Sequence, residues 1–178
     1  FSSLPIYGYK VNKDIISRAS KDGILINDDF INISKSIKCA TLVKKHILSN
    51  LSQEDTYPTL EDYANNIEDL SYLQKEIDRI IIDSETISDK ASSTLYDIGE
   101  VRGIVHDTSQ SGAKLFIEPE AIVNLNNKLK ELEISEQKEI ETILKILSLK
   151  IKENANSLKF NENILLYLDV LNAKADFC

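Results

Sequence analysis

The sequence predicts a mainly α fold: a helical core, one very long helix with an antiparallel return helix, and one small β-hairpin. Three observations carry that expectation. The 178 residues are 42% apolar, enough to bury a core, and include three Pro and no Trp or Met, which favours long helices over a turn-rich sandwich or barrel. From Glu120 to about Leu158 there is neither Gly nor Pro, and apolar residues recur at three-to-four-residue spacing. Two β-branched or aromatic clusters, Val101 with Ile104 and Val105, then Leu115 with Phe116 and Ile117, flank a run of turn formers.

Taken in order, Asn12 is a candidate cap for a short helix carrying Ile15, Ile16 and Ala19, and Gly23 supplies a left-handed residue to end it. Asn27 is the natural N-cap of a second helix. Asp28 and Asp29 suit the positive end of its dipole, and Phe30, Ile33, Ile37, Ala40, Val43 and Ile47 share one face. Lys44 and Lys45 sit near its C-terminal end. The polar stretch from Ser49 to Pro58 reads as a loop. Thr59 with Asp62 and Ser71 with Gln74 are capping boxes for two short helices, the first bearing Leu60, Tyr63, Ala64 and Ile67, the second Leu73, Ile77 and Ile80. Ser84 to Ser93 is irregular, followed by a helical start at Thr94 to Ile98 that stops at Gly99.

The hairpin occupies 99–119, with Asp107, Ser109, Ser111 and Gly112 in its turn. Pro119 then suits the first turn of a helix, where its missing N–H costs nothing. In the long helix Leu125, Leu129, Leu132, Ile140, Ile143, Leu147, Ile151, Ala155 and Leu158 form the stripe, which thins between Glu133 and Glu139. Such a helix reaches roughly 55 to 60 Å, more than a core of this size covers, so part of it projects or packs on an antiparallel partner. Asn161 caps a last helix with Ile164, Leu165, Leu168 and Leu171 that folds back. The organisation is thus 1–98 helical, 99–119 hairpin, and 120–178 long helix with return helix.

The net charge of −8 is uneven: about +4 over 1–50, about −10 over 51–100 and about −2 over the rest. No basic stripe of the kind that neutralises phosphates is present, so this chain alone is a weak nucleic-acid binder. Cys39 and Cys178 are the only cysteines, which excludes a disulfide framework and a CxxC metal site. No segment approaches the roughly 18 apolar residues of a membrane span and no basic flank opens the chain, so a cytoplasmic protein without membrane partners is expected. The start at Phe1 and the end within an apolar helical pattern make both termini look cut.

No residue is expected to be catalytic, to bind a cofactor or to hold a metal. His106, Asp107 and Ser109 lie too close in sequence to assemble a triad, and turn chemistry is their expected role. SQSGAK departs from a Walker loop, with Asp107 at the first Gly, Ala113 intervening and Leu115 after Lys114. His46 stands alone among lysines and reads as a surface imidazole. Glu54 with Asp55 and Glu61 with Asp62 belong to an acidic surface with no His to complete a cation site. The Leu and Ile stripe is core or coiled-coil seam first and partner groove second.

GIVHDTSQSGAKLFIEPEAIVNLNNKLKELE, from Gly103 to Glu133, closely resembles the bacterial MutS type two family, the mismatch-repair paralogue with a C-terminal Smr nuclease domain. The GIVHD, SGA, LFIEP and LNN series stands in the family's order and spacing, which marks Gly103, His106, Asp107, Ser111, Gly112, Phe116, Glu118, Pro119, Asn126 and Asn127 as signature residues. GILINDDFINIS, DLSYLQKEIDRIIID and YLDVLNAKADF are similar to family segments more loosely, and together they extend the likeness over most of the chain.

The resemblance implies a MutS core, lever and part of the clamp arm, upstream of an ABC-type ATPase and an Smr endonuclease domain, neither of them present here. It further implies ATP and Mg in the parent protein and a homodimer. The implied targets are branched DNA, where recombination is suppressed, and stalled ribosomes, which are split. One departure is that Ile98 runs straight into Gly99, where the family has a longer arm and a short β segment; a stretch there is deleted or unseen. The competing reading is a stand-alone helical adaptor that binds a partner helix along its long helix.

Overall fold

The computed structural model describes residues 3–50, 58–110 and 119–175, and among them the chain forms seven α-helices, one 3-10 turn and no strand. The helices are α1 (Lys13–Ser20), α2 (Asn27–Ser49), α3 (Pro58–Asn66), α4 (Ser71–Ile80), α5 (Ser93–Gln110), α6 (Pro119–Glu153) and α7 (Ala155–Ala175), with the 3-10 turn at Asp89–Ala91 before α5. None of them is long and apolar enough to cross a membrane.

Two apolar clusters share α2 and the α6–α7 pair as spines. The first joins Ile16 of α1, Phe30 and Ile33 of α2, Leu73 and Ile77 of α4, and Leu147 and Ile151 of α6. The second joins Ala40, Val43 and Ile47 of α2 with Ala64 of α3, Leu165 and Leu168 of α7, and Leu4 of the N-terminal segment. The whole face of α2 read from the sequence is buried, from Phe30 to Ile47. Each large aliphatic side chain removed from water there contributes about 1.5–3 kcal/mol, which is why the second helix was legible from spacing alone.

The β-hairpin expected across 99–119 is overturned on its first limb. Val101, Ile104 and Val105 lie inside α5, which runs unbroken from Ser93 to Gln110. Positions i, i+3 and i+4 fit one helix face as well as they suggest a strand, and here the helix is the better solution because α5 packs along α6. The second limb, Leu115 to Ile117, lies outside the described residues. The expected stop at Gly99 is lost for the same reason: the glycine is carried within the helix at a cost of about 1 kcal/mol relative to Ala. The polypeptide therefore passes directly from Ile98 to Gly99 in a single helix. The only β-type pairing among the described residues is an isolated bridge between Ile81 and Ile87.

The expected fold-back at Asn161 does not occur either. α7 starts at Ala155, one residue beyond α6, and Asn161 lies within it. The backbone ladder crosses the junction, with Asn154 N–H donating to Lys150 O at 3.2 Å and Leu158 N–H to Asn154 O at 2.9 Å. Asn154 Nδ2 also donates to Lys150 O, a local competition that accounts for the one-residue break. The buried stripe continues through it from Ile143, Leu147 and Ile151 to Ala155, Leu158, Leu165 and Leu168. α6 packs on α1 and α5 while α7 packs on α1 and α2, so the two form one rod rather than a hairpin.

Several ends are fixed by other means than the sequence suggested. Asn12 and Asn27 make no side-chain cap, and Asn27 Nδ2 instead donates to Asp83 O at 3.0 Å. Asp22, not Gly23, takes the left-handed conformation, with φ 62°. Gly23 is needed for proximity: a Cβ there would lie 2.9 Å from the Arg18 carbonyl oxygen. Ser92 is an unanticipated cap of α5, its Oγ accepting Leu95 N–H at 3.0 Å.

Candidate functional site

The element that could do mechanical work is the rod, and its attachment is built from polar side chains set into an apolar stripe. Ser148 sits between Leu147 and Ile151; its Oγ accepts Leu25 N–H at 2.9 Å and donates to Leu144 O at 2.7 Å. Asn161 takes both backbone polar groups of one residue, accepting Glu68 N–H through Oδ1 and donating through Nδ2 to Glu68 O, each at 2.8 Å. Glu162 Oε1 accepts Asn12 N–H at 2.5 Å. Asn172 Oδ1 accepts Leu4 N–H at 2.9 Å. The rod thus supplies partners to four backbone N–H groups in three connecting segments, the N-terminal segment and the α1–α2 and α3–α4 connections, groups that would otherwise be left unpaired at about 1–3 kcal/mol each.

Exposed and half-exposed contacts line the rim. Tyr72 OH donates to Asn154 Oδ1 at 2.6 Å, Lys150 pairs with Glu76 at 2.5 Å and Lys152 with Asp22 at 2.6 Å. Ser92 Oγ donates to Glu139 Oε1 at 2.7 Å, and Arg102 pairs with Glu136 at 2.8 Å, which runs α5 antiparallel to α6. Surface ion pairs of this kind hold register more than they add stability.

Among the described side chains of α6 the buried ones begin at Ile143. From Val123 to Glu136 every side chain is half-buried or exposed, with Leu125, Leu129 and Leu132 half-buried and Val123 and Ile134 exposed. The C-terminal part of the rod is docked in the core and its N-terminal part, together with the end of α5, forms a two-helix arm. At about 1.5 Å per residue the 35 residues of α6 span about 52 Å.

The signature residues gather on that arm as far as they are described. Gly103 is exposed on α5 with no atom within 4 Å of a notional Cβ, and His106 and Asp107 follow on the same helix. Pro119 opens α6, and Asn126 and Asn127 are exposed on it. Ser111, Gly112, Phe116 and Glu118 lie outside the described residues. Sequence reasoning passed over Ser148, Glu162 and Asn172; their signal was a polar residue standing at a core position of the stripe.

Electrostatics mark one of these contacts. Burial pushes the Glu162 carboxyl above the ordinary Glu value, against the opposing pull of Asn12 N–H and Lys13. Burial, with Asp169 and Glu162 nearby, likewise raises the Tyr9 phenol to about 12. Among the described residues no group of three His, Cys, Asp or Glu could hold a metal ion.

No family model matches the chain. It is similar to Endonuclease MutS2 of Clostridium botulinum strain ATCC 19397 / Type A, 34% identical over 91% of this chain and 26% of that protein. It is also similar to Endonuclease MutS2 of Clostridium botulinum strain Eklund 17B / Type B, 32% identical over 97% of this chain and 28% of that protein. These relatives support the MutS2 family. The chain spans about a quarter of their length. The alignments run over 209 and 220 positions against a chain of 178 residues, so both relatives carry residues with no counterpart here.

Proposed function

We propose that this chain is the core, lever and shortened clamp segment of a MutS2-type protein, with the α6–α7 rod as the part that transmits motion. The observation that carries the reading is the rod's asymmetry: the buried residues of α6, Ile143, Leu147, Ser148 and Ile151, all lie in its C-terminal part, while every side chain from Val123 to Thr142 is exposed or half-buried. A stiff helix fixed at one end turns a small displacement at its base into a larger arc at its tip, a hinge-type transition. In the parent protein the displacement comes from an ATPase using ATP and Mg, and an Smr domain supplies endonuclease activity. The parent acts as a homodimer on branched DNA, suppressing recombination, and on stalled ribosomes. The described signature residues on the arm, Gly103, His106, Asp107, Pro119, Asn126 and Asn127, are structural in this reading, and the fragment itself turns over no substrate.

The test is made in the full-length protein. Spin labels on Lys130 of the arm and on exposed Lys35 of α2 should give different separations in the ATP-bound and nucleotide-free states. The same distance distribution in both states contradicts a lever.

A second reading, an adaptor for a partner helix, is favoured by one feature. A groove between α4 and α6 has Ile80, Ile143 and Leu147 on its floor and Glu76, Arg79 and Lys150 on its rim, the apolar-centre, charged-edge pattern that accepts an amphipathic helix. A Walker loop encoded after Cys178 supports the lever, and a stop codon there supports the adaptor.

A further inference from the structure

Two oxygens in the contact between Asn12 and Glu162 are buried and have no protein donor: Asn12 Oδ1 and Glu162 Oε2. Asn12 is 2% exposed and Glu162 1%, so neither is open to bulk solvent. The two residues are already joined by Asn12 N–H to Glu162 Oε1, which ties the turn before α1 to the middle of α7. Asn12 Nδ2 points to the Asn32 carbonyl of α2 over a long 3.5 Å contact, with Oδ1 as the other branch of the amide. The site therefore has two surplus acceptors and lacks a donor.

The surroundings do not supply that donor as a cation. Lys13 at the start of α1 acts on the carboxyl from a distance, and Lys13, Lys159, Asn163 and Glu162 itself line one shallow depression. Neither makes an ion pair or hydrogen bond with Glu162 among the described residues. The N-terminal segment presents the Tyr9 phenol, Asp169 stands about two turns farther along α7, and α2 presents the Asn32 carbonyl. An ionised carboxylate here would be buried, half-paired and beside another unpaired acceptor, the costliest state available to it.

We propose that Glu162 is held as the neutral acid in the folded chain and donates Oε2–H to Asn12 Oδ1, forming a proton-dependent latch between the N-terminal segment and the rod. One hydrogen then satisfies both orphaned oxygens. The proton is taken from solvent as the chain folds and returned when the contact opens. Because the folded chain holds this proton more tightly than the unfolded chain, the latch contributes fully below the ordinary Glu value of 4.5. Its contribution is lost as pH rises through the folded value. The inference is independent of the lever reading, since it concerns only how the rod is fastened.

The test is a carbon-detected NMR titration of the Glu162 carboxyl in the 178-residue chain, with urea stability of the wild type and Glu162→Gln followed from pH 4.5 upward. A midpoint above 4.5 is expected, and Asn12→Ala should lower it by removing the acceptor of the neutral form. Glu162→Gln, whose amide also donates, should keep the fold and lose this part of the wild-type decline in stability at rising pH. A midpoint at or below 4.5, or one indifferent to Asn12→Ala, overturns the proposal, as does an unchanged pH dependence in the Gln variant. The titration reads the wild-type chain, so it decides the matter even if a variant fails to fold.

Discussion

Asn161 and Glu68 are paired as two strands would be: the side-chain amide of one both accepts from the backbone N–H and donates to the backbone carbonyl of the other, each at 2.8 Å. Asn161 is 5% exposed, so in the turn between α3 and α4 both backbone polar groups of Glu68 are satisfied by the rod rather than by water.

Replacing Asn161 with Leu therefore leaves a donor and an acceptor of Glu68 unpaired against the protein. The expected loss of stability is about 2–4 kcal/mol in urea unfolding. A loss under about 0.5 kcal/mol would mean that the turn repacks or that water takes over both bonds.

Gly23→Ala should also destabilise, by about 1–3 kcal/mol, because the new methyl meets the Arg18 carbonyl at 2.9 Å and a backbone atom cannot swing aside. Thermal unfolding reads the effect directly. Since Gly23 does not have positive φ, Gly23→Asn, which suits left-handed positions, should bring no relief. Rescue by Asn would contradict the steric account.

How much of this was legible in the sequence follows from which force decides each element. The face of α2 and the run of α6 were legible because burial imposes a period on apolar residues, and nothing in either segment competes with it. The Val101 to Val105 cluster misled because its spacing fits two periods, and its choice depends on α6, far along the chain. Asn161 misled because an Asn before an apolar run caps helices well, while its real partner is the backbone of a residue more than ninety positions earlier. The signature residues pointed to a relationship and not to a chemistry, and those from Ser111 to Glu118 lie outside the described residues.

The loop after α4 carries a pH prediction. Asp83 accepts Glu85 N–H at 2.9 Å and Thr86 N–H at 2.8 Å, and these bonds hold its carboxyl below the ordinary value of 3.8. A lowered value means the contribution is present above 3.8 and lost as pH falls through the folded value. Asp83→Asn should flatten the acid limb of stability below about pH 4 without altering its neutral plateau much. An acid limb identical to the wild type would remove Asp83 from the account.

The most direct test of the central claim, that α6 and α7 make one extended rod, is the distance between spin labels on Lys130 and Lys174. Both positions are exposed, and Cys178→Ser with buried Cys39 leaves the two labels as the reactive sites. A helix continued through Asn154 predicts a narrow distribution near ~66 Å at 1.5 Å per residue. A fold-back at that junction would bring the labels to within ~20 Å, and a population at that separation would contradict the rod.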